Sequence, residues 1–154
     1  MRSVRATLAT GAAVALASGG LALAGPATAA HATAAQCTNG ANGFDSIPYN
    51  KSGTNARTVS MGYGVTVRLQ YGTVNGAQQG WARIDGTTVA GDRVWMDWTQ
   101  NSGSTWLQCG PFTVQSNGSP NTSAAKRTSS SSSYQFRACG NLAGVGETRC
   151  TTWW

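Results

Sequence analysis

The chain has 154 residues, of which 40% are apolar and only 10% charged, with a formal net charge of +6. That length allows one domain with a single modest core. Its basic residues stand singly (Lys51, Arg57, Arg68, Arg83, Arg93, Arg137, Arg149), with only Lys126 and Arg127 adjacent. A nucleic-acid surface would gather them into a patch or stripe, so that class is set aside.

Residues 1–30 read as a secretory signal peptide. Arg2 and Arg5 form its basic end and Ala12 to Ala24 its apolar run. A-x-A sites at Ala27–Ala29, Ala30–Ala32 and Ala32–Ala34 put cleavage between 29 and 34. Ser18, Gly19 and Gly20 interrupt the run, which is shorter than the ~20 apolar residues of a membrane span. Without Arg2 and Arg5, nine basic side chains face five acidic ones, a net charge of about +4. The expectation is a secreted, extracellular protein whose single β-domain covers residues 36–154.

Residues 36–55, rich in Gly, Asn and Ser, read as an extended segment anchored by Phe44 and Ile47. Arg57–Met61 is a short β-prone run, and Gly62-Tyr63-Gly64 turns it into the clearest strand. There Val65, Val67, Leu69 and Tyr71 alternate with Thr66, Arg68 and Gln70, which predicts one buried and one wet face. A polar loop over 72–79 with an Asn75–Gly76 turn leads to a strand at Gly80–Asp85. Arg93–Thr99 and Thr105–Cys109 flank Gln100–Ser104 and predict a hairpin, with Pro111–Val114 continuing after a break at Gly110–Pro111. Residues 115–133, with Pro120 and the run Thr128–Ser133, read as a long mobile Ser-rich loop. Tyr134–Cys139 re-enters the fold and Arg149–Trp154 closes it. No helical periodicity persists beyond the signal peptide. The pattern predicts an all-β fold, a small antiparallel β-sandwich or barrel.

Cys37, Cys109, Cys139 and Cys150 are an even set in an exported chain, which implies two disulfides with three possible connectivities. The favoured pairing is Cys139–Cys150, a local staple, with Cys37–Cys109 tying the N-terminal segment to the central hairpin. No C-x-x-C occurs, and the one histidine, His31, falls in the cleavage window. Neither a metal site nor a cofactor is expected.

Thr99-Gln100-Asn101-Ser102-Gly103-Ser104-Thr105-Trp106 resembles an Asp-box, S/T-x-D-x-G-x-T-W, with Asn101 in place of the Asp. In sialidase-type propellers that box is a structural turn remote from catalysis, so the resemblance implies a hairpin and no activity. A propeller would also need repeats, and none is found. Val67-Leu69-Tyr71, Trp81–Ile84, Gly91–Asp97, Gly103–Trp106, Phe136–Gly140 and Cys150–Trp154 together resemble small secreted actinomycete proteins of unassigned function. Those proteins often carry a Cys before the W-A-R segment, where this chain has Gln78 and Gln79. The resemblance brings no activity.

Catalysis is not expected. With His31 in the cleavage window, Ser-His-Asp and Cys-His arrangements drop out, and oxidised cysteines offer no thiolate. Of the carboxylates, Asp85 and Asp97 are placed near one another on adjacent strands, the pair that a small hydrolase would need across a cleft. The tryptophans are the better lead, because an exposed indole stacks on the apolar face of a sugar ring. Trp98, Trp106 and Trp153 are assigned to the core, while alternation leaves Trp81, Trp95 and Trp154 open. The predicted ligand-binding set is Trp81, Trp95, Arg83 and Asp97. The reading is a monomeric, non-catalytic binding module for cell-wall or environmental polysaccharide. The alternatives are a secreted inhibitor or protein-interaction domain presenting Gln115–Ser133, and the small hydrolase. Partners are thus an extracellular glycan or a secreted protein, with no nucleic acid and, after processing, no membrane.

Overall fold

A computed structural model of the protein describes residues 30–154, so the signal-peptide reading lies outside the described residues except at its cleavage window. The strands are β1 (Ala30–Ala32), β2 (Phe44–Asp45), β3 (Thr54–Gly62), β4 (Val65–Val74), β5 (Ala77–Gly86), β6 (Arg93–Thr99), β7 (Leu107–Thr113), β8 (Asn121–Thr122), β9 (Ala125–Arg127), β10 (Gln135–Asn141) and β11 (Thr148–Cys150). One sheet has the order β1-β7-β6-β10-β11. The other runs β2-β9-β5-β4-β3, with β8 also on β5. Among the described residues only the pairing of β1 with β7 is parallel. Both predicted disulfides are present, Cys37–Cys109 and Cys139–Cys150, the latter between register partners on β10 and β11. They are compatible with an extracellular protein.

The two sheets close over one core. β4 contributes Val65, Val67 and Leu69, β5 Ala82 and Ile84, β6 Val94 and Met96, and β10 Phe136 and Ala138. These are the inward positions of the alternating strands, each burying apolar area worth about 25 cal/mol per Å².

Three segments differ from the expectation. Asn75 and Gly76 both have positive φ (49° and 75°), the geometry of a two-residue hairpin turn, so β4 and β5 pair through 72–79 where a loop was expected. β7 runs straight through Gly110–Pro111, a cis peptide bond, with a register irregularity opposite Trp95. Residues 115–133 are not one long loop. β8 and β9 pair with β5, and Thr122, Ser123, Ala124, Ala125 and Lys126 are buried. Their small side chains give no hydrophobic alternation to read, yet their hydroxyls find backbone partners. Ser123 Oγ accepts from the Ala82 N–H at 2.9 Å, and Thr122 Oγ1 donates to the Pro48 carbonyl at 3.1 Å.

β5 and β6 follow one another in sequence but belong to different sheets. The link between them is held by Asp92, which is 1% exposed. Its carboxylate accepts the Val89 N–H at 2.9 Å and the Ala143 N–H at 2.8 Å, while its carbonyl accepts the Val114 N–H at 2.7 Å.

Lys126 is buried between the sheets. Its ammonium lies 4.1 Å from the Trp98 ring and 4.7 Å from the Phe44 ring, and donates to the Asn42 carbonyl at 2.8 Å. Burial pushes its pKa below the ordinary 10.5.

Two outcomes are expected. Asp92→Ala removes the acceptor of two part-buried N–H groups and costs roughly 1–3 kcal/mol in urea unfolding, against a smaller loss for Asp92→Asn. For Lys126 the unfolded chain holds the extra proton below about 10.5. The burial cost present at neutral pH is therefore lifted as pH rises through the folded value. The melting-temperature difference between wild type and Lys126→Met should move in favour of wild type from pH 7 to about 10. A constant gap would mean that the burial is not felt.

Candidate functional site

The structure separates the four predicted ligand residues. Trp81 and Arg83 lie on β5 and Trp95 and Asp97 on β6, in different sheets, so Trp81 and Trp95 are not sheet-mates. Trp81 is 0% exposed and presents no ring face, which corrects its assignment as a stacking residue. It sits on the outward side of its sheet in a second apolar cluster with Val74, Ala125 and Ile47. Residues 46–53 form the cover. A Cβ at Gly53 would come within 2.7 Å of the indole, so only glycine lets the backbone cross there. Arg83 is part of the fastening, with Nη1 donating to the Lys51 carbonyl at 2.9 Å and Nε to Asp85 at 3.0 Å. Its role here is structural.

The opposite outer face, on the β6–β10 side, is different. Arg137 on β10 and Asp97 on β6 are register partners, with Arg137 Nε donating to Asp97 Oδ2 at 2.8 Å. The guanidinium carbon lies 4.7 Å from the Trp106 ring and 4.6 Å from the Trp153 ring. The two indoles meet edge to face at 6.3 Å. Asp97 is thus a buried anchor beneath Arg137, 2% exposed, rather than a group offered to ligand. Trp95, half-buried, is two residues along β6 on the same face.

Trp106 and Trp153 were assigned to the core; both are instead only partly buried, and neither packs against the main core cluster. The Asp-box-like turn explains the first. Thr99 Oγ1 accepts the Gly103 N–H at 3.0 Å, and Asn101 Oδ1 accepts the Thr105 N–H at 2.9 Å. Gly103 has φ +83°, and a Cβ there would sit 2.8 Å from Trp153 Nε1. The C-terminal tryptophan therefore lies against the turn, with Trp106 beside it. Trp98 and Trp154, by contrast, pack against the main core, and Trp154 stacks on Tyr71 at 5.1 Å.

Each indole of the pair walls a groove. Trp153 lines one of about 400 Å³ together with Arg57, Gln78, Tyr134, Gln135 and the hydroxyls of 128–132. Trp106 lines another of about 320 Å³ with Gln100, Asn101 and Thr105. Burial pushes the Tyr134 phenol above its ordinary pKa, and it donates to the Arg127 carbonyl at 2.9 Å. Asp85 and Asp97 lie in different sheets, each ion-paired with arginine, so the paired carboxylates of a hydrolase are not assembled. Asp97, Cys139 and Cys150 bring potential ligand atoms within 4.8 Å of one another. The disulfide between the two cysteines leaves no thiolate there.

Compared with known proteins, the chain matches no family model, no curated protein and no solved structure.

Arg137→Met should remove the guanidinium that faces the buried Asp97 carboxylate and lower stability by on the order of 3 kcal/mol. The same substitution should red-shift the tryptophan emission as Trp106 and Trp153 separate. Unchanged stability and emission would mean that the arginine does not order the pair.

Proposed function

We propose that the protein is a secreted, non-catalytic binding module for cell-wall or environmental polysaccharide, with Trp106 and Trp153 as its stacking surface. One observation carries the reading. Two partly buried indoles, held in place by Arg137, each wall a groove whose other groups are mainly hydroxyls and side-chain amides. An aromatic plane with such groups around it suits a pyranose, whose C–H face packs on the ring while its hydroxyls are hydrogen-bonded. The Arg137 clamp limits the rotamer entropy that binding would otherwise cost. Trp95, on the same face, extends the apolar surface.

A second reading, a protein-interaction domain, has one observation in its favour. Tyr63 stands at the tip of the β3–β4 hairpin, 74% exposed, with φ +52°. Thr87 braces the tip through a hydroxyl bond to the Tyr63 carbonyl and a 3.2 Å bond from its own N–H to the Gly64 carbonyl. A preorganised exposed aromatic is a common anchor in protein interfaces. Gln115–Ser133, the segment expected to be presented, is tied into the sheet at β8 and β9.

Tryptophan fluorescence titrated with chitin and cellulose oligomers and peptidoglycan fragments tests the first reading. A saturable shift is expected, weakened roughly tenfold or more in Trp153→Ala and Trp106→Ala. No shift with any glycan would retire it and move the search to protein partners of the Tyr63 tip.

A further inference from the structure

The charges of this protein are unevenly spent. Each of its five carboxylates is engaged within the fold. Asp45 accepts from Gln79, Asp85 from Arg68 and Arg83, Asp92 from backbone N–H groups, Asp97 from Arg137 and Glu147 from Arg149. Of the basic side chains among the described residues, Arg68, Arg83, Arg137 and Arg149 form ion pairs, which leaves Lys51, Arg57, Arg93, Lys126 and Arg127 without one. Lys126 faces inward over its two rings, and Lys51 lies by the cover of Trp81, 5.5 Å from that ring.

Arg57 is placed differently. It is exposed on β3 and lines the groove walled by Trp153, and its one hydrogen bond is from Nη1 to the Ala56 carbonyl at 2.8 Å. No acidic residue lines that groove. Arg127, also exposed, directly precedes Thr128, which does line it. Among the side chains that line the groove Arg57 is thus the one charged group, and a concave wall strengthens its field. A neutral sugar draws no benefit from it. An anionic group on the sugar meets a guanidinium with free donors in a fork that matches a carboxylate or phosphate.

We propose that the Trp153 groove selects an acidic glycan, its ring on the indole and its anionic group on Arg57. This rests on the polysaccharide reading above. It narrows the ligand to sugars bearing carboxylate or phosphate.

The test titrates the mature protein with four probes, namely oligogalacturonate, a phosphomannan oligomer, chitohexaose and cellohexaose, at low and high salt. Oligogalacturonate or the phosphomannan oligomer should bind at least tenfold more tightly than both neutral oligomers at roughly 20 mM salt, and the acidic probe that does so identifies the anionic group. That advantage should shrink at about 0.5 M salt, where the screening length falls to a few Å. Arg57→Gln should remove the preference for the acidic probe, whereas Trp153→Ala should weaken acidic and neutral probes alike. Neutral oligomers binding as tightly as the acidic probes, or a preference that survives Arg57→Gln, would overturn the charge selection while leaving the polysaccharide reading intact. No binding of any of the four probes would overturn both.

Discussion

The buried carboxylate of Asp92 is the point on which the arrangement turns. It fastens the link after β5 to Val89 and Ala143, so that the chain leaves one sheet and enters the other as β6. A buried charged acceptor holding two backbone donors is worth more than two neutral bonds. Had the link been a simple hairpin, β5 and β6 would have paired and Trp81 and Trp95 would have shared a face. Instead the crossing sends the tryptophans to opposite outer surfaces of the sandwich.

Those two surfaces are finished in contrasting ways. Over the six-stranded sheet, residues 46–53 fold down on Trp81, using the bare backbone of Gly53 and the hydrogen bond from Arg83 to Lys51. The indole becomes a second small core. Over the five-stranded sheet, among the described residues, no segment of that kind covers Trp106 and Trp153. An arginine lies against both rings and is itself neutralised by a buried aspartate. The first treatment removes an aromatic from solvent, and the second holds a pair of aromatics in place while leaving them partly open.

Much of the strand pattern was legible in the residues. The alternation of Val65, Val67 and Leu69 located β4 and its buried face, because side-chain direction in a strand is a local property of period two. Cysteine parity and spacing indicated both disulfides, with Cys139 and Cys150 near enough in sequence for a hairpin staple. The Asn101 turn was visible through its short polar cap and Gly103. β8 and β9 were not, because Asn121-Thr122 and Ala125-Lys126-Arg127 are too short and too polar to show a period. The partly buried positions of Trp106 and Trp153, outside the main core, were missed for a related reason. Aromatic size argues for burial, and nothing near either residue in the chain announces that Arg137 will lie against them.

By itself, then, the sequence determined the all-β class, the hairpins and the inward faces of the longer strands, all of which follow from contacts between near neighbours or from local periodicity. Only the tertiary structure decided which outward tryptophans stay open. That depends on what passes over them from far along the chain: residues 46–53 over Trp81, and Arg137 with the C-terminal Trp153 beside Trp106. Alternation tells which way a side chain points, and only the meeting of remote segments tells whether water is there.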